Sequence, residues 1–226
     1  MSGSCCCERD AMRKKDLVKD ELLKRLLSGR YRFGDPISVK AFSQETGISR
    51  QPIMTALAGL SADGFVTVVA QVGCEVVSPG EDDIGDFYLM FERLEGLMAE
   101  LAAKRRGTDQ LRRLRAINHE ISLIDAGEAD AAVAYRNLNR AFHELIHDMA
   151  RSPILFERQT NMFAMSDFFI VQTAGFIQHI KGAAIEHEEI IRAIADADCD
   201  RARKAAEHHI REVGDYVREG FCRSRC

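Results

Sequence analysis

The sequence predicts a mainly α-helical protein in which an N-terminal winged helix-turn-helix precedes a C-terminal all-α antiparallel helical bundle. Two observations predict this division. Residues 43–76 show a helical pattern followed by a β-branched hairpin pattern, whereas the chain after residue 80 has no strand-like stretch and one further proline, Pro153. Breaks in the helical pattern of the second part indicate helices near 81–106, 109–125, 128–150, 153–177, 179–196 and 199–220.

The N-terminal unit is organised around a helix that begins near Ser49. The apolar residues between Ile53 and Leu60 recur at the i, i+3, i+4 and i+7 spacing of one buried helical face. Ser49 precedes this run as an N-cap, whose hydroxyl can accept a bond from a backbone N–H of the first turn. Pro52 lies early in the helix, where its missing N–H costs little. The sequence therefore predicts a short helix with a defined start.

Turn residues on both sides of that helix predict the rest of the unit. Gly47 suits the left-handed turn after a shorter amphipathic segment, VKAFSQETG. Gly64 leads into the β-branched run FVTVV, and Gly73 separates this run from CEVV, which indicates a two-stranded wing. A leucine-rich stretch, residues 17–27, predicts a further helix before both.

A winged helix-turn-helix inserts its second helix into the major groove of DNA, so the residues at the start of that helix are candidates for base contacts. Arg50 can pair with guanine or hold a phosphate, and Gln51 can pair with adenine. Ser49 lies at the helix N-terminus, where backbone N–H groups favour a phosphate. Double-stranded DNA is the partner that this arrangement indicates.

Composition agrees with this division. Residues 1–78 contain 11 Lys and Arg against 9 Asp and Glu, whereas residues 79–226 contain 20 against 26. The basic excess lies in the N-terminal unit, and the acidic part is not expected to contact phosphate.

No apolar run is long enough to span a membrane and no signal peptide is recognisable, so we expect a cytoplasmic protein with free thiols.

The segment from residue 12 to residue 78 resembles the DNA-binding domain of the GntR family of bacterial regulators. SGRYRFGDPIS between two helices, followed by GISRQPIMTALAGLSADGFV and a wing glycine, carries this resemblance. Two positions depart from the family, which usually has Arg at Met54 and a basic or polar residue at Val72. The resemblance implies DNA contacts by Lys40, Ser49, Arg50, Gln51, Pro52 and Gly73, and a Met54 side chain could instead contact a thymine methyl.

Three histidines of the C-terminal part are expected to point into the bundle. His187 precedes the isoleucines of residues 190–194 at helical spacing, and His209 shares a face with small and apolar residues. His143 lies one turn after Asn139 at the border of an apolar stripe. These four groups could converge, and three imidazoles are a ligand set for zinc or nickel. Surface or packing positions are expected for His119, His147 and His179.

The patterns NRAFHELI and HEEIIRAIADADCDRARKAAEHHI resemble the C-terminal ligand-binding domain of the FadR subfamily, the FCD domain, over about residues 81–220. In that domain an Asp and three His hold a metal that helps to bind a small carboxylate effector. The matching positions are Asn139, His143, His187 and His209.

Two departures from the FCD pattern bear on the ligand. Asn139 stands where the family has Asp, and a neutral amide oxygen is a poorer ligand for a dication than a carboxylate. Phe91 stands where the family commonly has Arg. The pocket is therefore expected to take a less anionic effector than a dicarboxylate, or to use another cation such as Arg140.

We expect three domains: a disordered tail over 1–11, a winged helix-turn-helix over 12–78, and an effector-binding and dimerisation domain over 79–226. The leading hypothesis is a homodimeric, effector-controlled repressor that reads a palindromic operator, with a hinge near Pro79. One alternative keeps this regulator but binds an organic effector without a metal. A more distant alternative is a metal-dependent hydrolase, which the lack of HExxH and of an inward general base near His187 disfavours.

Overall fold

The computed structural model describes residues 4–69 and 73–225, apart from the side chains of residues 4–15, 69, 157, 179, 181, 224 and 225. The chain forms two compact units, Met1–Pro79 and Gly80–Cys226. The elements of the N-terminal unit are α1 (Ser4–Leu27), β1 (Pro36–Ile37), α2 (Val39–Thr46), α3 (Arg50–Ala62), β2 (Val66–Val69) and β3 (Gly73–Val76).

Helix α1 starts earlier than the sequence pattern predicts. It begins at Ser4, within the segment 1–11 that was expected to be a disordered tail. Neither Gly nor Pro occurs between Ser4 and Leu27, so nothing in the sequence interrupts a helical backbone there. The buried residues of this helix include Val18, Leu22 and Leu26.

The helix-turn-helix forms where the sequence predicts it. Gly47 ends α2 in the left-handed conformation, with φ of 71°. The Ser43 hydroxyl donates to the Ile48 carbonyl oxygen at 2.6 Å, which ties the turn. The inward residues of α3, from Ile53 to Leu60, are at most 3% exposed. Ser49 is the N-cap residue of α3, but among the described residues its hydroxyl makes no capping bond, so that part of the prediction is wrong.

The wing contains one strand more than predicted. β3 pairs antiparallel with β2 and also with the two-residue strand β1, giving the order β1-β3-β2. Ile37 of β1 lies opposite Cys74. Two residues are too few to show a strand pattern, which explains why the sequence does not reveal β1. Val72, one of the positions that departs from the GntR pattern, lies outside the described residues.

The second unit consists of helices throughout its described residues. Its breaks fall close to the predicted ones. The helices are α4 (Glu81–Arg105), α5 (Thr108–Ser122), α6 (Ala131–Ala150), α7 (Pro153–Thr173), α8 (Ile180–Ala195) and α9 (Cys199–Arg225), with a 3₁₀ turn at Ile177–His179.

Helix α4 packs along α9, and two glycines allow this close approach. A Cβ atom on Gly96 would lie 2.6 Å from Cγ of Glu207, and one on Gly214 would lie 2.9 Å from Cβ of Tyr88. Helices α5, α6, α7 and α8 complete the bundle, and its interior holds the buried polar groups described below. Among the described residues, no helix is long and apolar enough to cross a membrane.

Candidate functional site

A cluster of three histidines lies inside the helical unit. His143 of α6, His187 of α8 and His209 of α9 each offer a ring nitrogen, and these atoms lie within 4.8 Å of one another. The three residues are at most 2% exposed, which confirms the inward direction that helical periodicity predicts. His187 stacks on Phe142 with 4.0 Å between ring centroids. Three helices therefore bring three imidazoles to one point.

Glu95 of α4 determines how His143 faces this cluster. Its Oε2 lies 2.8 Å from Nδ1 of His143. Because an ionised carboxylate can only accept hydrogen bonds, Nδ1 carries the proton and Nε2 keeps its lone pair. Nε2 is buried and has no hydrogen-bond partner among the described residues. His143 is therefore held in the tautomer that a metal ligand requires.

Glu95 is the centre of a buried polar network that the sequence pattern does not reveal. It also accepts bonds from Nε2 of His147, at 2.6 Å, and from the Gln159 amide. Burial opposes ionisation of Glu95, but His147 and His143 outweigh it and lower the pKa of Glu95 to about 2. His147 is a buried partner of this network, and His119 is exposed as expected. The side chain of His179 lies outside the described part of the chain.

His209 has a carboxylate partner of its own. Oε2 of Glu186 lies 2.6 Å from Nδ1 of His209, which leaves Nε2 of His209 as the acceptor nitrogen. Burial lowers the pKa of His209 against the opposing effect of Glu186, which favours the neutral ring that binds metals. The sequence analysis expected no inward general base near His187, and the acidic contact found here is made with His209. Glu186 lies off the face of His187 but extends to the neighbouring helix.

The fourth predicted member of the cluster, Asn139, lies one turn before His143 on α6. Its Oδ1 is buried and has no hydrogen-bond partner among the described residues. Buried polar atoms are normally satisfied, so Oδ1 of Asn139 and Nε2 of His143 both indicate a missing partner. A divalent ion with a preference for nitrogen and oxygen ligands, such as zinc or nickel, fits this donor set.

A small cavity adjoins the cluster. Its water-accessible volume is about 20 Å³, roughly the space of one or two water molecules. His143, His209 and Asn139 form part of its wall, whereas His187 is absent from the described lining. The remaining lining residues are Phe91, Tyr135, Phe163, Ser166, Asp167, Ile170, Phe176, Ile210, Val213 and Tyr216.

The two residues proposed to contact an effector differ in position. Phe91 lines the cavity and is fully buried. Arg140 is absent from the described lining; its side chain is 39% exposed and its Nη2 lies 3.6 Å from Oδ2 of Asp167. Asp167, which no sequence motif indicates, is a buried acid of the cavity wall. Burial raises its pKa to about 7, although Arg140 and Arg136 act in the opposite direction.

The N-terminal unit exposes the residues predicted to contact DNA. Lys40, Ser49, Arg50 and Gln51 are exposed, and Pro52 and Met54 are half-buried. Several other cations of this unit are used internally: Arg25 and Arg30 pair with Glu45, and Lys19 pairs with Asp63. No ion pair engages Lys40 or Arg50 within the described residues, so both charges remain available for phosphate.

Together, a helix-turn-helix with a β-wing and a separate all-helical unit define a class of DNA-binding regulator. The chain belongs to the GntR family of bacterial regulatory proteins: residues 14–76 match the "Bacterial regulatory proteins, gntR family" domain, and residues 86–212 match the FCD domain. It is therefore a DNA-binding transcriptional regulator, and its family consists of regulators rather than enzymes.

Known proteins of the same kind share modest sequence identity with the chain. It is 23% identical to the HTH-type transcriptional repressor RspR of Escherichia coli K12, over 82% of this chain and 81% of RspR. It is 26% identical to the HTH-type transcriptional regulator YdhC of Bacillus subtilis 168, over 59% of each chain. The solved structure of E. coli McbR/YncC has a TM-score of 0.75 at 16% identity, and the match covers 92% of this chain and 98% of that one.

Proposed function

We propose that the protein is a homodimeric repressor whose affinity for a palindromic operator is controlled by a small-molecule effector bound beside a metal ion in the helical unit. The buried cluster of His143, His187 and His209 next to a cavity carries this proposal. Two copies of the winged unit would read two half-sites, with a spacing set by the dimer.

On the DNA side, α3 enters the major groove. Arg50 and Gln51 read base edges, and Ser49 contacts a phosphate with its backbone N–H and its exposed hydroxyl. Lys40, Pro52 and Gly73 position the backbone, and Met54 adds an apolar contact. Because Met54 replaces a cation, we expect fewer phosphate contacts and a shallower salt dependence than with Arg at this position.

On the effector side, His143, His187, His209 and Asn139 hold the metal. When bound, the ion supplies a Lewis-acidic position for an oxygen atom of the effector. Glu95 and Glu186 orient His143 and His209 by accepting their Nδ1 protons, and these second contacts also raise the basicity of the rings. Phe91 forms an apolar part of the wall.

The small size of the cavity bears on control. A ligand larger than one or two waters requires lining side chains to move, so the liganded and unliganded proteins differ in structure. The ligand controls the regulator through its different affinities for the DNA-competent and the DNA-incompetent states. The ratio of these two affinities is the largest factor by which it can change operator affinity.

The test begins with operator fragments selected from genomic DNA by the purified full-length protein. Binding is measured by fluorescence anisotropy for wild type and Arg50→Ala, at several salt concentrations. Salt-sensitive binding that Arg50→Ala weakens supports the proposal. A protein that selects no fragment, or an Arg50→Ala variant that binds as tightly as wild type, contradicts it.

A second version of the function omits the metal, and Asn139 favours it because a neutral amide replaces a charged ligand. In this version the histidines donate and accept hydrogen bonds directly with an organic effector. Metal analysis of protein purified without chelator separates the two versions. Near-stoichiometric metal supports the first, and a clearly substoichiometric content supports the second.

A further inference from the structure

The acid in the cavity wall is placed to recognise part of the effector. Asp167 belongs to α7, its side chain is 7% exposed, and it lines the same cavity as His143, His209 and Asn139. A buried carboxylate normally accepts several hydrogen bonds. Around Asp167 the described residues supply one ion pair, from Arg140, and its 3.6 Å separation exceeds hydrogen-bond length. The carboxylate thus retains acceptor capacity toward the cavity.

The described lining of the cavity also contains no Lys or Arg. Phe91 occupies the wall with a buried aromatic ring, and Arg140, half-exposed outside the lining, directs its charge at Asp167. At pH values above about 7, where Asp167 is ionised, a ligand group that carries a negative charge would meet it without a cation of the wall to balance the two charges. Like charges in a site of low dielectric repel each other strongly.

A group with an O–H or N–H donor has the opposite relation to this wall. It can donate to Asp167 and so satisfy a buried acceptor, while an oxygen elsewhere on the same molecule reaches the histidine cluster. Two neighbouring hydroxyls, of Tyr88 and Ser166, already bond to each other at 3.0 Å. They leave Asp167 as the buried acceptor of this side of the cavity, and its carboxylate is ionised above about pH 7.

We propose that the effector is a small hydroxy acid or amino acid that directs its hydroxyl or ammonium group at Asp167, and that dicarboxylates are rejected. This proposal rests on the effector function proposed above and specifies the ligand's chemistry. Hydrogen bonds to charged groups imply a preference of roughly 10- to 100-fold in dissociation constant for the donor-bearing ligand.

The experiment uses the full-length protein and two series of probes of matched length. The three-carbon series is propionate, 3-hydroxypropanoate, 3-aminopropanoate and malonate, and the four-carbon series contains the corresponding butyrate derivatives and succinate. Dissociation constants are measured by calorimetry at about pH 8, where Asp167 is ionised, with zinc-loaded protein and again with metal-stripped protein. We expect a hydroxyl- or amino-bearing member to bind most tightly and the dicarboxylate of the same length to bind at least about tenfold more weakly.

Variants assign the preference to Asp167. Asp167→Leu should abolish it for both donors, whereas Asp167→Asn should keep it for the hydroxyl, since an amide oxygen still accepts, and lose it for the ammonium group. Glu92→Gln is the matched control, because Glu92 is a buried acid of α4 outside the lining of this cavity. It should leave the preference unchanged.

The proposal is overturned by a dicarboxylate that binds as tightly as its donor-bearing counterpart, or by a preference that survives Asp167→Leu. It is also overturned if no probe binds detectably at about 20 mM, since a dissociation constant above that value corresponds to very weak binding. The metal-stripped measurement and operator binding distinguish a failure of the proposed effector function from a failure of the contact at Asp167. Those report on the metal and on the regulator independently of the contact at Asp167.

Discussion

Oε2 of Glu95 lies 2.8 Å from Nδ1 of His143, and this bond connects α4 to the histidine cluster. Glu95 supplies a negative charge that Asn139, as a neutral amide, does not. The charge lies on the far side of the imidazole ring, so it acts on a bound cation through His143 instead of by direct contact. Glu186 has the same relation to His209, at 2.6 Å.

Replacing Glu95 with Gln should weaken metal binding. The substitution removes the charge that fixes the His143 tautomer. Loss of a carboxylate that accepts a hydrogen bond from a metal-binding histidine typically lowers metal affinity by about 10- to 100-fold. Competition between the protein and a chromophoric chelator for cobalt or zinc measures this change. Glu92→Gln is the control, because Glu92 is equally buried on α4 but pairs with Arg211 and Arg93. Equal affinities for the two variants would show that Glu95 does not support the metal.

His187→Ala tests the cluster itself. We expect wild-type protein to carry close to one ion per chain and the variant to carry little or none, because three imidazoles are reduced to two. Added zinc or nickel should raise the melting temperature of wild type, since a ligand that binds only the folded state stabilises it. His208→Ala is the control, as His208 is an exposed neighbour of His209. An undiminished metal content in His187→Ala would remove this residue from the site.

Asn139→Asp should tighten metal binding. A carboxylate in place of the amide adds a charged ligand oxygen at a position where Oδ1 is buried and has no hydrogen-bond partner among the described residues. Ligand charge is a main determinant of affinity for divalent ions, and we expect a gain of about tenfold or more. The same chelator competition provides the measurement. A variant that binds metal more weakly than wild type would indicate that residue 139 is not a ligand.

Helical periodicity predicted much of this molecule because it depends on one segment at a time. The buried face of α3 between Ile53 and Leu60 and the inward direction of His187 follow from spacing alone. Glu95 could not be found in this way, since its partner His143 lies on another helix and a charged residue within a helix is usually solvated. Asp167 was missed for the same reason, and β1 because two residues form no pattern.

Arg50→Ala should weaken operator binding and reduce its dependence on salt. If Arg50 contacts a phosphate, its loss lowers the slope of log affinity against log salt by about 1. Arg30→Ala is a matched control, because Arg30 is an exposed cation of the same unit that pairs with Glu45. Met54→Arg should act in the opposite direction and steepen the slope by about 1. Equal losses for Arg50→Ala and Arg30→Ala would point to overall charge and not to α3 as the determinant of binding.

Asp167 makes the stability of the helical unit depend on pH. Burial raises its pKa to about 7 from 3.8, against Arg140 and Arg136, so between those values the folded state binds more protons than the unfolded state. Stability should therefore fall as pH rises through this window, by at most about 4 kcal/mol from this residue.

Asp167→Asn should remove this loss of stability. In denaturant unfolding, the variant should be more stable than wild type at pH 8 and nearly equal to it at pH 4. Asp86→Asn, at an exposed position of α4, should follow wild type at both. If Asp167→Asn kept the pH dependence of wild type, the pKa of Asp167 in the folded protein would not be raised. Its carboxylate would then have a stronger partner than Arg140 alone.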